Sequence, residues 1–197
     1  MSTPNTPAGA SNAADWEGGQ TPAETRIGHV HLKVADLDRA IQFYHEIMGF
    51  DVVLNIGTAA FLAAGNYHHH IGLNTWESLG GEPAPRGATG LYHFCINYPT
   101  RRDLAVAIKR LYDHGWGIDG AQDHTTHEAI YLHDPDHNGI ELAWDRDPSF
   151  WPTMRETDPE VRRTLNKPID FDSLMGELGD PDATGAAEYL PVLRAYK

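Results

Sequence analysis

Residues 29–50 read HVHLKVADLDRAIQFYHEIMGF, and the change of period inside this stretch decides the fold. Val30, Leu32 and Val34 alternate with His29, His31 and Lys33, the period of a half-buried strand. From Asp36 the spacing becomes helical. Asp36 is placed to cap the helix, Ala40, Ile41, Phe43, Tyr44, Ile47 and Met48 form its apolar stripe, and Gly49 stops it. The pattern predicts a strand from Thr25 through Val34, a helix, and then three short strands in DVVLNIG, AAFLAAG and HHHIGLNTW.

After the Gly- and Pro-rich GGEPAPRGATG the order repeats. GLYHFCINYP reads as a strand, with Phe94, Ile96 and Tyr98 opposite His93, Cys95 and Asn97. RRDLAVAIKRLYDHGW reads as a helix, with Leu104, Ala107, Ile108 and Leu111 at helical spacing. A ribbon in GIDGAQDHTTHE, then AIYLHDP and NGIELAWD, complete the unit, with Ile140, Leu142 and Trp144 opposite Glu141. The chain is therefore read as α+β, two strand-helix-three-strand (βαβββ) units. The expected division is a disordered tail over 1–24, a first unit over 25–79, a linker over 80–89 and a second unit over 90–147. Residues 148–197 form a C-terminal extension, with one or two short helices packed on the body or on a neighbouring subunit and an apolar end, LPVLRAYK.

Composition excludes several classes of function. With 197 residues and 41% apolar content, the chain can bury one sizeable core or two small joined ones. A formal net charge of −13 argues against nucleic acid or an anionic membrane as partner. The single cysteine, Cys95, precludes an internal disulfide, fits a reducing cytoplasm and is expected to be a small buried strand residue. The N-terminal segment has neither the basic start nor the apolar core of a signal peptide or anchor.

Three polar residues on the predicted strands stand out: His29 and His93, each in the first strand of its unit, and Glu141. Two imidazoles and one carboxylate on rigid strands are the set that holds Fe(II) with open coordination positions, and Mn(II) accepts the same set.

HVHLKVADLDRAIQFYHEIMGF resembles the opening of a vicinal oxygen chelate module, the superfamily of glyoxalase I, fosfomycin and bleomycin resistance proteins and type I extradiol dioxygenases. The resemblance covers residues 25 to 147 and implies paired βαβββ modules in a U-shaped, partly open barrel around a metal. In the second half His124, Ile130-Tyr131, Asp134-Pro135 and Glu141 resemble the extradiol signature, closest to the catechol 2,3-dioxygenases. Gln122 replaces a small or β-branched residue, and His137 a Gly or Pro; both are expected at turns.

Carried over by position, the resemblance makes His29, His93 and Glu141 the iron ligands. It makes His70 the acid-base histidine, and His124 and Tyr131 the groups beside the substrate. It implies that catechol or a substituted catechol is cleaved beside the diol with both atoms of O2 incorporated, giving a muconic semialdehyde. The expected partner is that small aromatic diol, and the expected assembly a homo-oligomer. Alternation puts His68 on the same face as His70, as a second candidate base or substrate contact, and turns His69 away. His31 and His133 are expected to line the substrate pocket, Trp76 and Trp144 to sit in the core, and His45, His114 and His127 to face solvent.

Two other functions fit the same fold. One is a glyoxalase-type isomerase or thiol transferase using Ni, Zn or Mn, but its usual fourth ligand, Glu or Gln on the last strand of the first module, is replaced here by His and Asn. The other is a non-catalytic antibiotic-binding protein, which would not keep the triad together with His70, His124 and Tyr131.

Overall fold

The structure, a computed structural model, describes residues 21–152, 159, 163 and 165–179. The first twenty residues of the expected tail and the terminal LPVLRAYK lie outside the described residues.

Two four-stranded mixed sheets form. The first contains β1 (Val30–Lys33), β2 (Asp51–Asn55), β3 (Ala59–Ala63) and β4 (Ile71–Asn74), in the order β1-β4-β3-β2. The second contains β5 (Phe94–Asn97), β6 (Gly120–Asp123), β7 (His127–His133) and β8 (Gly139–Asp145), in the order β5-β8-β7-β6. Each sheet pairs its first strand in parallel with its last and joins the rest antiparallel. The repeat read from element order is thus a repeat of topology, and the two sheets do not close into a barrel.

α1 (Leu37–Gln42) starts where the Asp36 carboxylate accepts the Arg39 N–H, 3.0 Å away. It continues as a π-helical turn over Phe43–Ile47, whose wider winding lets the neighbouring residues Phe43 and Tyr44 both turn inward. Gly49, at φ +85°, ends it. α2 (Arg101–Asp113) is capped by Thr100 and buries Leu104, Ala105, Ala107, Ile108 and Leu111. A 3₁₀ turn over Pro148–Phe150 and α3 (Phe171–Gly176) follow the second sheet. No helix among the described residues is long and apolar enough to cross a membrane.

The two halves meet through side chains. The buried Tyr44 hydroxyl donates to Asp134 Oδ2 at 2.9 Å, Arg39 Nη2 donates to Asp136 Oδ1 at 2.6 Å, and the Phe43 and Trp116 rings lie 4.7 Å apart. Arg110 Nη2 donates to the Glu46 carbonyl, with its guanidinium lying over Gly49, where a Cβ would meet Nη1 at 2.0 Å.

Two expectations about single residues change. Cys95 is exposed, because it lies on the open face of a strand at the sheet's edge. Trp76 follows the end of β4 and is 61% exposed, so it is no core residue, whereas Trp144 packs partly buried against the core. The extension does pack on the body: Leu174 and Met175 of α3 are buried, and Arg101 of α2 donates to the Ser173 carbonyl and pairs with Glu177.

Candidate active site

Register places the chemistry on the second sheet. Cys95, Glu141, Tyr131 and Gly120 are successive partners across β5, β8, β7 and β6, so their side chains share one face. The next row on that face is Asn97, Ala143, Ala129 and Gln122, which is thus paired within β6 rather than placed at a turn as expected. The two alanines leave room above them, and His127 leans across that space from its place beside Asp145. His93 enters from the residue just before β5.

Glu141 is buried and holds two imidazoles. Its Oε2 lies 2.8 Å from His93 Nε2 and its Oε1 lies 3.1 Å from His127 Nε2. The His127 hydrogen bond holds the Glu141 carboxyl below its usual range, against the desolvation of the site. Tyr131 stands beside it, its ring 5.6 Å from that of His93, and its hydroxyl is 2.8 Å from His124 Nε2. Desolvation first, then the charge of Glu141, pushes the Tyr131 phenol up to about 12, so it stays protonated at neutral pH. His124 Nδ1–H donates to the Leu165 carbonyl at 2.7 Å. The Cys95 thiol is likewise pushed up to about 12, by desolvation and then by Glu141, and is no thiolate at neutral pH.

A cavity of about 700 Å³ lies between β1 and β5, with His29, His70, His93 and Cys95 in its lining and Met48, Phe50, Ile71, Phe94 and Ile96 as apolar wall. His70 Nδ1 accepts the Ala64 N–H at 3.2 Å, so its neutral ring presents Nε2–H. His29 is exposed just before β1, with its ring 4.3 Å from that of His69 and 6.2 Å from that of His68. His69 therefore points toward His29 rather than away. The cause is the bend over residues 64–68, where Gly65 takes φ +62° and strand alternation no longer applies. His68 Nδ1 lies 2.8 Å from His69 Nδ1.

His31 and His133 do not line this cavity. His31 packs against Trp76 and Phe61 and borders a separate cavity with Glu77 and His137, while His133 Nδ1 bonds the Asp119 carboxylate. His127, expected at the surface, is the residue the sequence reading missed. Its odd-numbered place with Tyr131 on one strand was the available signal.

The metal set is met in part. Two ligands at right angles on one cation stand about 3 Å apart, which His93 and Glu141 satisfy. His29 contacts neither oxygen of Glu141, and among the described residues no group of three or more His, Cys, Asp or Glu side chains is arranged to hold a metal ion. As arranged, the three residues do not fit a shared ion.

Residues 26–142 match the family model of the Glyoxalase/Bleomycin resistance protein/Dioxygenase superfamily. The chain is 38% identical over 161 residues to a Catechol-2,3-dioxygenase of Bacillus subtilis (strain 168), covering 82% of this chain and 55% of that protein. It is 31% identical over 121 residues to Biphenyl-2,3-diol 1,2-dioxygenase 3 of Rhodococcus globerulus, covering 61% of this chain and 63% of that one. The chain thus spans less than two thirds of the length of either curated relative. Among solved structures, a glyoxalase/dioxygenase from Nostoc punctiforme aligns with a TM-score of 0.54 at 19% identity, over 65% of this chain and 97% of that one. A glyoxylase/bleomycin resistance protein/dioxygenase domain from Frankia sp. EAN1pec aligns with a TM-score of 0.52 at 24% identity, over 63% of this chain and all of that one. Similarity at this level of identity speaks for the fold alone.

Proposed function

Because the chain belongs to the glyoxalase/bleomycin resistance protein/dioxygenase superfamily, we propose that it is an extradiol dioxygenase. It would open the ring of catechol or a substituted catechol beside the diol, incorporate both atoms of O2 and release a muconic semialdehyde. The observation that carries this reading is the His124–Tyr131 pair, 2.8 Å apart, on the sheet face that also holds Glu141 and His93. Such a pair supplies a held proton where oxyanion charge develops. The 38% identity to a catechol-2,3-dioxygenase supports the same reading.

The metal of this proposal is Fe(II), with Mn(II) as the alternative; of the expected ligands His29, His93 and Glu141, His93 and Glu141 stand close enough to share it, and His29 would have to approach them. The chain's own groups divide the remaining work. Tyr131 is a protonated phenol whose O–H is taken up by His124, and a substrate oxyanion arriving on this face competes for that proton. His70 presents Nε2–H to the cavity and can donate a hydrogen bond to a substrate oxygen there; moving a proton as base or acid would require Nδ1 to release the Ala64 amide. The apolar wall of Met48, Phe50 and Phe94 suits an aromatic ring and excludes water.

The test is to load anaerobically purified protein with Fe(II), add catechol or 3- or 4-substituted catechols in air, and follow the yellow ring-opened product, with Glu141→Ala alongside. Product that depends on O2, metal and Glu141 is the expected result. No product from any of these diols with metal bound would overturn the proposal.

A further inference from the structure

The segment after the second sheet has no counterpart in the first half, yet it reaches the site. Lys167 forms a two-bond antiparallel bridge with Asp123 at the end of β6: Asp123 N–H donates to the Lys167 carbonyl at 2.7 Å and Lys167 N–H to the Asp123 carbonyl at 2.9 Å. The next residue along the strand is His124, whose Nδ1–H is held by Leu165. Beyond the bridge, Ile169, Leu174 and Met175 are buried, and Arg101 grips Ser173 and Glu177. Below it, the Asp123 carboxylate takes Arg146 and the Thr125 N–H, with Thr125 in the left-handed region at φ +69°. The bridge is therefore anchored on both sides. β2, which occupies the same place in the first sheet, is exposed at every position and, among the described residues, carries no such strap.

We propose that residues 165–179 are part of the active site, with the Leu165 carbonyl a positioning group that fixes His124 in its Nδ1–H tautomer and so directs the Tyr131 hydroxyl. The proposal rests on the catalytic reading above for its consequence in turnover, not for its structural content. A neutral imidazole has one donor and one acceptor nitrogen, and the partner of one decides the role of the other. A carbonyl oxygen only accepts, so Nδ1 must carry the proton and Nε2 must accept. The Tyr131 hydroxyl, 2.8 Å from that accepting nitrogen, then donates its O–H to Nε2. Without Leu165 the ring is free to carry its proton on Nε2. The hydrogen bond to Tyr131 then reverses, and Tyr131 presents its own proton elsewhere.

The experiment uses the full-length chain labelled with 15N-histidine, reading the tautomer of His124 from its ring-nitrogen shifts, assigned with His124→Gln. The parent should show the Nδ1–H form. Lys167→Pro removes the N–H that Asp123 accepts, and Arg101→Met releases α3 by a separate route. Each should move His124 toward Nε2–H and lower kcat roughly tenfold, with metal stoichiometry and KM little changed. Lys109→Met, on the outer face of α2, should change neither. An Nε2–H tautomer in the parent overturns the proposal. So does a folded Lys167→Pro or Arg101→Met variant that keeps the Nδ1–H form with kcat within about twofold of the parent. If Lys167→Pro fails to fold, the parent tautomer and Arg101→Met decide. A tautomer that shifts as expected in a protein inactive on every catechol refutes the dioxygenase reading and leaves this one standing.

Discussion

Replacing Tyr98 by Phe should make the protein more stable. The Tyr98 hydroxyl is buried and has no hydrogen-bond partner among the described residues. It was stripped of water on folding and received nothing in return, a penalty of about 1–3 kcal/mol. Removing one oxygen leaves the ring packed and opens little space. The gain at pH 7 should therefore be about 1–3 kcal/mol, or roughly 2–10 °C in Tm for a chain of this size. The pH dependence has a fixed sign. Burial pushes the Tyr98 phenol from 10.0 up to about 12, so above pH 10 the unfolded chain loses this proton before the folded one does. Wild-type stability then falls as pH rises through the folded value. That loss is worth about 1.4 kcal/mol at pH 11 and nears 2.7 kcal/mol above pH 12, and the variant escapes it. Urea unfolding of both proteins at pH 7 and pH 11, followed by tryptophan fluorescence, measures the difference directly. A variant less stable than wild type at pH 7, or a gap that does not widen at pH 11, would refute the reasoning.

Three further outcomes follow from other contacts. Glu128 is buried between Arg101 (2.9 Å) and Arg146 (3.1 Å); because both arginines keep a second carboxylate, Glu128→Gln should cost about 2–3 kcal/mol rather than the full cost of stranding buried charges, visible as a Tm drop in calorimetry. A Cβ at Gly139 would meet the Tyr92 carbonyl at 2.0 Å, so Gly139→Ala should push the backbone before β5 outward, part His93 from Glu141 and weaken Co(II) binding roughly tenfold in titration calorimetry. The hydrogen bonds from Arg146 and the Thr125 N–H outweigh desolvation and hold the Asp123 carboxyl low; its contribution is present above pH 3.8 and lost as pH falls through the lower folded value, so the stability gap between wild type and Asp123→Asn should narrow in acid unfolding titrations below pH 3.8.

Strands β1, β5 and β8 were legible because each has one buried and one open face, and alternation records that difference. Their ends were not, since a strand stops where its partner stops: His29 and His93 were read inside strands but stand one residue before them. The His68–His70 run misled for a related reason, because alternation was applied across a bend that contains Gly65 at φ +62°. His127 was readable by parity with Tyr131 but was passed over as a solvent-facing histidine. The Leu165 carbonyl lies beyond any side-chain pattern, since every residue carries one and only the fold chooses which is used.

The seam between the halves has a mechanical consequence. Among the described residues no backbone-to-backbone hydrogen bond crosses from the first sheet to the second. β1 and β5, whose leading residues are His29 and His93, are both outer strands. The spacing of these two histidines is thus governed by side-chain contacts such as Tyr44–Asp134 and Arg39–Asp136, which act as a pivot. No ladder joins the two sheets, so a rigid-body shift between them would break no strand pairing and would instead act on the side chains of the core they share. Anything that grips both histidines at once would work against these side-chain contacts and the shared core, and Tyr44→Phe would remove one of them without touching either histidine.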